Sequence, residues 1–309
     1  IPPGMSGDCR VRVNLDGRLR AITYGRPCAV HVDPMEKKPL YHFRPGTRIF
    51  SLATAGCNLH CKNCQNWEIA QANPDEVESQ TLEPADVVEA ARRTSCPSIA
   101  YTYTEPLVYY EYVLDTATRA RESQLANVVI SAGYVLPEPL KRLARVIDAF
   151  KIDLKSMDDR FYREICSATL KPVLDALLVI KEAGVWLEVV NLIVPTLSDD
   201  LAMIRRMCKW IARNLGESTP LHFSRFYPQY QLQNLPPTPA ETLLAARKEA
   251  RDAGLKHVYI GNITVADGET TFCAGCNRPL IERVGYQIIE NRIENGRCDS
   301  CKAVVAGRW

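Results

Sequence analysis

Three cysteines lie within eight residues in the stretch Ala55-Gly-Cys57-Asn-Leu-His-Cys61-Lys-Asn-Cys64-Gln-Asn-Trp67. Three thiolates at this spacing can hold three corners of a cubane iron–sulfur cluster, whereas a purely electron-carrying cubane takes four. Three ligands leave one iron open, and an open metal position is where a substrate or cofactor can bind. A zinc clip or three unrelated buried thiols are the alternatives, but zinc clips usually pair their ligands as C-x2-C. The spacing therefore favours a 4Fe-4S cluster with one open iron.

The composition limits the class of protein. A chain of 309 residues fits one large α/β domain with a small appendage. The net charge of +2 makes nucleic acid an improbable partner, and no apolar run approaches the ~18 residues of a membrane span. Seven of the twelve cysteines fall into two metal-type groups, which predicts a reducing, cytoplasmic setting. The chain begins at Ile1 rather than Met, so we expect that upstream residues are missing.

Strands and helices alternate from about Arg48 onward. Apolar, β-branched strands between amphipathic helices predict a parallel sheet, closed into a partial or full (β/α) barrel or left open as a Rossmann-like sheet. No dinucleotide or triphosphate glycine motif follows a strand. We predict three units: an N-terminal extension with a β-hairpin (1–47), an α/β barrel (48–265) and a C-terminal module (266–309).

Polar side chains collect just after the predicted strands. In a parallel barrel these strand ends share one rim, and that rim carries the active site. A turn or helix-cap role is the alternative for any single one of them. The candidates are Cys57, Thr104, Glu105, Ser131, Asp153, Lys155, Asn191, Arg225 and Tyr227.

The C-x3-C-x2-C motif after a first strand resembles that of the radical S-adenosylmethionine (radical SAM) enzymes. The resemblance implies that the open iron binds SAM and that an electron from the cluster splits it into methionine and a 5′-deoxyadenosyl radical. The family usually carries an aromatic residue before the third cysteine, where this chain has Asn63. Trp67 lies close by and is a candidate to replace that contact.

The same resemblance implies roles for several strand-end residues. Thr104 and Glu105 stand where the family binds the amino group of SAM, to which a carboxylate is suited. Asp153-Leu-Lys155 resembles an element of the pyruvate formate-lyase activating enzymes that contacts the ribose and carboxylate of SAM. An acidic first-turn residue and a structural ion pair are the respective alternatives. By position, Ser131 and Asn191 are candidate ribose contacts, and Arg225 and Tyr227 are candidate substrate contacts.

Two further C-x2-C pairs predict a small metal-binding module at the end of the chain. Cys273 and Cys276 are separated by 21 residues from Cys298 and Cys301, close to the spacing of a four-cysteine zinc site. Zinc in a zinc-ribbon arrangement is favoured over rubredoxin-like iron, with a second cluster or disulfides as alternatives. All four positions of such a site are filled, which indicates a structural role.

Several blocks resemble the radical SAM enzymes of the AmmeMemoRadiSam system. They are Glu36-Lys-Lys-Pro-Leu-Tyr-His-Phe43, the cysteine loop, Tyr101-Thr-Tyr-Thr-Glu-Pro106, Asp153-Leu-Lys155, His222-Phe-Ser-Arg-Phe-Tyr-Pro228 and the terminal cysteine pairs. The system's name implies Memo-like and AMMECR-like partners. Related proteins carry further cysteines before the position of Cys9, so Cys9 is either one ligand of an incomplete metal site or a stray thiol.

These patterns predict an enzyme that cleaves SAM reductively and abstracts hydrogen from a substrate. It would need a low-potential electron donor, because SAM cleavage requires the low end of the cluster potentials. The resemblance to activating enzymes favours a protein or peptide substrate, and a small molecule stays open. The alternative is a zinc-ribbon protein that binds RNA or protein without catalysis.

Overall fold

An eight-stranded sheet forms the centre of the computed structural model, which describes residues 1–309. Its strand order is β10-β9-β8-β7-β6-β5-β4-β3, with β4 to β10 parallel and β3 antiparallel at one edge. β3 and β10 do not pair with each other, so the barrel is partial. The strands are β3 Ala29–Pro34, β4 Arg48–Ala53, β5 Ser98–Tyr101, β6 Ala126–Ser131, β7 Ala149–Asp153, β8 Trp186–Ile193, β9 Leu221–Arg225 and β10 Val258–Gly261.

Helices connect the parallel strands, as the alternation in the sequence predicts. Pro84 starts one of them, where its missing N–H costs nothing, and the Asp200 carboxylate caps another by accepting from the backbone N–H groups of Ala202 and Met203. The helices are α1 Trp67–Ala70, α2 Pro84–Arg93, α3 Tyr110–Glu122, α4 Pro137–Ala144, α5 Asp159–Phe161, α6 Leu170–Glu182, α7 Leu201–Asn214 and α8 Ala240–Asp252. None of them is both long and apolar enough to cross a membrane.

The two faces of the sheet differ in what covers them. Alternate side chains such as Phe150 and Ile152 of β7 pack into a 55-residue apolar core shared with the helices. Their neighbours Ala149, Lys151 and Asp153 face the other side, which we call the inner face.

A segment from the β3–β4 connection, residues 35–43, fills the inner face. Met35, Leu40 and Phe43 are buried there against Ile49 and Val128 of the strands. The sequence analysis assigns these residues to an N-terminal extension, 1–47. The sheet begins at Ala29, because β3 pairs with β4 along its whole length.

Two smaller units flank the sheet. The hairpin β1 Arg12–Leu15 and β2 Arg18–Ala21 forms at Asp16-Gly17, as predicted. The C-terminal part contains β11 Thr271–Phe272, β12 Pro279–Val284, β13 Gln287–Asn291, β14 Ile293–Glu294 and β15 Arg297–Cys298. Its Arg283, 6% exposed, donates to the backbone carbonyl of Tyr41 at 2.8 Å, so the module is attached to the segment that fills the inner face.

Candidate active site

The cysteine loop begins directly after β4 with a sharp turn at Gly56. Gly56 has a φ of +93°, and a Cβ there would lie 2.3 Å from Val11 Cγ2 and 2.6 Å from the Cys9 carbonyl oxygen. Glycine is therefore required both by the backbone conformation and by the close approach of the N-terminal segment. The backbone N–H groups of His60 and Lys62 donate to the carbonyls of Cys166 and Ile165 at 3.0 and 2.9 Å.

All three cysteines of the loop open into one cavity of about 480 Å³ at the carboxyl ends of the strands. The sequence places Thr104, Glu105, Ser131, Asp153 and Lys155 at the ends of three other strand segments, and the fold brings all five to the wall of this cavity. Such convergence follows from parallel strands, whose carboxyl ends share one rim.

Of the two carboxylates that line the cavity, Glu105 accepts more hydrogen bonds than Asp153. Its carboxylate accepts hydrogen bonds from Ser131 Oγ at 2.7 Å, Ala132 N at 2.9 Å and Leu107 N at 3.2 Å. Burial raises the pKa of Glu105, and these three donors oppose that effect. Ser131 thus orients Glu105 in addition to lining the cavity.

Asp153 and Lys155 both reach the cavity, and Asn191 supports them from behind. Asp153 accepts from Lys151 Nζ at 2.5 Å and lies 3.6 Å from Lys155 Nζ. Although burial opposes it, the two ammonium groups lower the pKa of Asp153. Asn191 does not line the cavity, because its side-chain amide donates to the carbonyls of Leu154 and Lys155 at 2.8 and 3.1 Å.

The thiols of the cysteine loop suit a bound cation. Burial raises the pKa of Cys57, and it raises that of Cys64 to about 11, so a positive charge is needed to hold both as thiolates. A hydrogen bond from Cys166 lowers the pKa of Cys61 to about 7, with help from Lys155. A single zinc would bring its sulfurs to about 3.8 Å from one another. The group of sulfurs within 4.8 Å of one another that such a site needs is formed by the C-terminal cysteines and not by these three.

Of the other residues predicted to contact SAM or substrate, only some line the cavity. Asn63 lines the cavity, whereas Trp67 lies outside it and stacks on Tyr230 with ring centroids 5.0 Å apart. Arg225 and Tyr227 do not line the cavity: the Arg225 guanidinium donates to Tyr227 Oη at 3.2 Å and to the Thr238 carbonyl at 2.9 Å.

The four C-terminal cysteines form one compact group. Their sulfurs lie within 4.8 Å of one another, with Cys273 and Cys301 at 3.5 Å and Cys276 and Cys298 at 3.8 Å. Tetrahedral zinc with Zn–S bonds of about 2.3 Å needs sulfurs at about this spacing. The group could bind a metal. Cys9 belongs to no such group, and its sulfur accepts from Arg12 N at 3.4 Å.

Sequence reasoning missed part of the cavity wall. Lys37, Lys38 and Lys151 line the cavity, as does Tyr286 from the turn between β12 and β13. Lys37 and Lys38 lie in the block Glu36–Phe43, which the sequence analysis singled out without placing it. The alternation of β7 could have placed Lys151 beside Asp153, since residues two apart share a face.

Comparisons with known proteins agree with this arrangement. Residues 51–211 match the model of the radical SAM superfamily, which is more than half of the chain. This chain belongs to the radical SAM superfamily. The matched segment runs from β4, before the cysteine loop, to α7, and so includes Glu105, Ser131, Asp153 and Lys155.

Two individual proteins are similar to this chain in sequence. An uncharacterized protein of Methanocaldococcus jannaschii is 48% identical over 303 residues, 97% of this chain and 90% of that protein. The pyruvate formate-lyase-activating enzyme of Clostridium pasteurianum is 24% identical over 162 residues, 50% of this chain and 66% of that enzyme.

A solved structure also shares the fold. Streptococcus suis SuiB bound to S-adenosylmethionine has a TM-score of 0.56 at 12% identity and covers 78% of this chain and 56% of its own. The radical SAM fold implies a SAM site and an iron–sulfur cluster in this chain, and the C-terminal cysteine group lies beyond the matched segment.

Proposed function

We propose that this protein is a radical SAM enzyme that abstracts hydrogen from its substrate through reductive cleavage of SAM. The observation that carries this proposal is the meeting of Cys57, Cys61 and Cys64 with Glu105 and the Asp153–Lys155 pair in one cavity. When bound to the three cysteines, a reduced 4Fe-4S cluster would supply one electron that splits SAM into methionine and a 5′-deoxyadenosyl radical.

The chain's own residues would hold SAM in a fixed orientation. Glu105, kept in place by Ser131 and two backbone N–H groups, would accept a hydrogen bond from the ammonium of SAM. Lys155 would pair with its carboxylate, and Asp153 would accept from the ribose hydroxyls. Thr104 Oγ1 donates to the Thr54 carbonyl at 2.8 Å and ties this strand end to the cysteine loop.

The C-terminal cysteine group would hold a structural zinc, or iron as in rubredoxin. Only five buried apolar or cysteine residues form the core of that module, and two of them are ligands. So small a core supplies little folding energy, and metal binding would supply the rest.

The substrate and partners are proposed from resemblance alone. The activating-enzyme likeness supports a protein or peptide substrate, with a small molecule as the second candidate. The sequence blocks shared with the AmmeMemoRadiSam system support association with Memo-like and AMMECR-like proteins, and a low-potential donor would deliver the electron.

Deoxyadenosine formation tests the proposed reaction. Anaerobic, cluster-reconstituted protein given SAM and dithionite is expected to release 5′-deoxyadenosine, and Cys61→Ala is expected to release none. Cys208→Ala is the matched control, because Cys208 is fully buried in α7, away from the cavity. Continued turnover in Cys61→Ala would refute the proposal.

Metal analysis separates this proposal from a zinc-ribbon binding protein without catalysis. The enzyme should hold about four irons and one zinc per chain, whereas the binding protein would hold zinc alone. Cys298→Ser should lose the zinc and keep the iron.

A further inference from the structure

Two buried lysines line the active-site cavity. Lys38, from the segment that fills the inner face, is 3% exposed, and Lys151 of β7 is 7% exposed, yet both line the cavity. The Cα of Lys151 lies two residues, about 7 Å, before that of Asp153 on the same strand, and its side chain extends to the Asp153 carboxylate. Neither residue belongs to the set that the resemblance to known enzymes assigns to SAM.

Each buried ammonium has only one hydrogen-bond acceptor. Lys38 Nζ donates to Asp33 Oδ2 at 2.6 Å, and Lys151 Nζ donates to Asp153 Oδ1 at 2.5 Å. An ammonium carries three N–H donors, so each of these lysines keeps two without an oxygen or nitrogen acceptor in the protein, although Lys38 Nζ also lies 4.4 Å from the centroid of the Tyr103 ring. Both ammonium groups face the cavity, so the oxygens of a bound ligand could accept from the remaining donors.

The carboxylates around the cavity do not balance the lysines. Asp33 is shared between Lys38 and Lys37, at 2.6 and 2.8 Å, and it also accepts from Tyr103 Oη. The carboxylate of Asp153 likewise pairs with two ammonium groups, those of Lys151 at 2.5 Å and Lys155 at 3.6 Å. Four lysines line the cavity, and three carboxylates lie around them: Asp33, Asp153 and Glu105. The three hydrogen bonds to Glu105 come from groups other than these lysines.

The environment of Lys38 agrees with this imbalance. Burial lowers the pKa of Lys38 to about 8, and Lys37 and Lys151 add to that effect against the attraction of Asp33. The ammonium is thus mostly charged at neutral pH but poorly stabilised by the protein alone. A second anion close to it would stabilise the charged form.

We propose that Lys38 and Lys151 together bind an anionic group of the substrate, a carboxylate or a phosphate. Two ammonium groups facing one pocket can each donate to a different oxygen of such a group. The bound substrate would then lie beside the Asp153–Lys155 pair, in the same cavity as the cysteine loop. This inference rests on the proposed function, because it takes the anionic group to belong to the substrate of that reaction.

Phosphate binding tests the site directly. Cluster-reconstituted, full-length protein with SAM and without reductant is dialysed against radiolabelled inorganic phosphate at constant ionic strength. We expect one saturable site per chain, with affinity at least tenfold lower in Lys38→Met and in Lys151→Met. Lys38→Arg retains the charge and should lose less affinity for phosphate. It provides a second test if Lys38→Met does not fold. Lys141→Met is the control, because Lys141 lies on α4 with a side chain 53% exposed and pairs with Glu138.

The outcomes are separate from those of the proposed reaction, because no turnover is needed. Displacement of phosphate by malonate would show that the site accepts carboxylates, and retention of phosphate would show a preference for phosphate. Absence of a saturable site for either anion, or an affinity in both methionine variants equal to that of the unaltered chain, would overturn the proposal even if deoxyadenosine is formed.

Discussion

The carboxylate of Glu188 accepts a hydrogen bond from the backbone N–H of His42 at 2.8 Å. It also accepts from Tyr41 N at 3.0 Å, Trp186 Nε1 at 3.0 Å and His222 Nε2 at 2.7 Å. Glu188 is fully buried in the middle of β8. One side chain thus fixes the segment that fills the barrel and carries Lys38 to the cavity.

Glu188→Ala should destabilise the protein strongly. The change leaves four donors without an acceptor, three of them buried, which predicts a loss of about 3–5 kcal/mol in the free energy of unfolding. Glu188→Gln keeps the size and part of the hydrogen bonding, so it should cost less. Urea denaturation followed by circular dichroism measures both. A loss below ~1 kcal/mol in Glu188→Ala would contradict the role given to this carboxylate.

Glu105→Gln should weaken SAM binding while leaving the fold intact. The amide oxygen of Gln can still accept from Ser131 Oγ and Leu107 N, but its NH2 group would face the backbone N–H of Ala132, and the charge that would attract an ammonium is gone. Charge-assisted hydrogen bonds contribute roughly 1.5–3 kcal/mol, so we expect a 10- to 100-fold rise in the dissociation constant for SAM. Equilibrium binding of labelled SAM is the measurement, and unchanged affinity would assign Glu105 a purely structural role.

Gly56→Ala should impair loading of the iron–sulfur cluster. The added methyl group would collide with Val11 and with the Cys9 carbonyl, and the cysteine loop would have to shift. Gly184→Ala is the matched control, since Gly184 also has a positive φ of +70° but no atom within 4 Å of an added Cβ. Iron per chain after reconstitution should fall in Gly56→Ala only. Equal losses in both variants would point to backbone strain instead of the collision.

The protein should lose stability as the pH falls below 6.5. His257 packs against His42 with ring centroids 4.4 Å apart, and burial lowers the pKa of His257 to about 4. The unfolded chain binds the proton of this histidine near pH 6.5, and the folded chain binds it only near pH 4. Above pH 6.5 the histidine is neutral in both states and does not lower the free energy of unfolding. It costs about 2 kcal/mol at pH 5.

His257→Gln isolates this contribution. If low pH also removes metal from the protein, it does so in the variant and in the unaltered chain alike. The difference in unfolding free energy between pH 7 and pH 5 should be about 2 kcal/mol smaller in the variant. Identical pH dependence in the two proteins would show that His257 does not titrate in this range.

Local sequence was sufficient for the parts of the site that lie on single strand ends. The spacing of Cys57, Cys61 and Cys64, and the alternation that puts Asp153 on the inner face, are properties of a few adjacent residues. Arg225 and Asn191 show the limit of that reasoning. Arg225 ends β9 and Asn191 lies two residues before the end of β8, but Ser224, Val190 and Leu192 beside them face the cavity. The alternation of the strand therefore directs Arg225 and Asn191 to the other face, where they donate to the carbonyls of Thr238 and Leu154.

By itself, the sequence determined the alternation of strands and helices, the cysteine groups and the position of Glu105, because periodicity and spacing are local. Only the tertiary structure decided that the Glu36–Phe43 block enters the barrel, that Lys38 meets Lys151 in one cavity, and that Tyr286 of the C-terminal module reaches the same wall. Those contacts join residues far apart in the chain. They depend on which buried polar groups, such as Glu188, find their partners when the sheet closes around them.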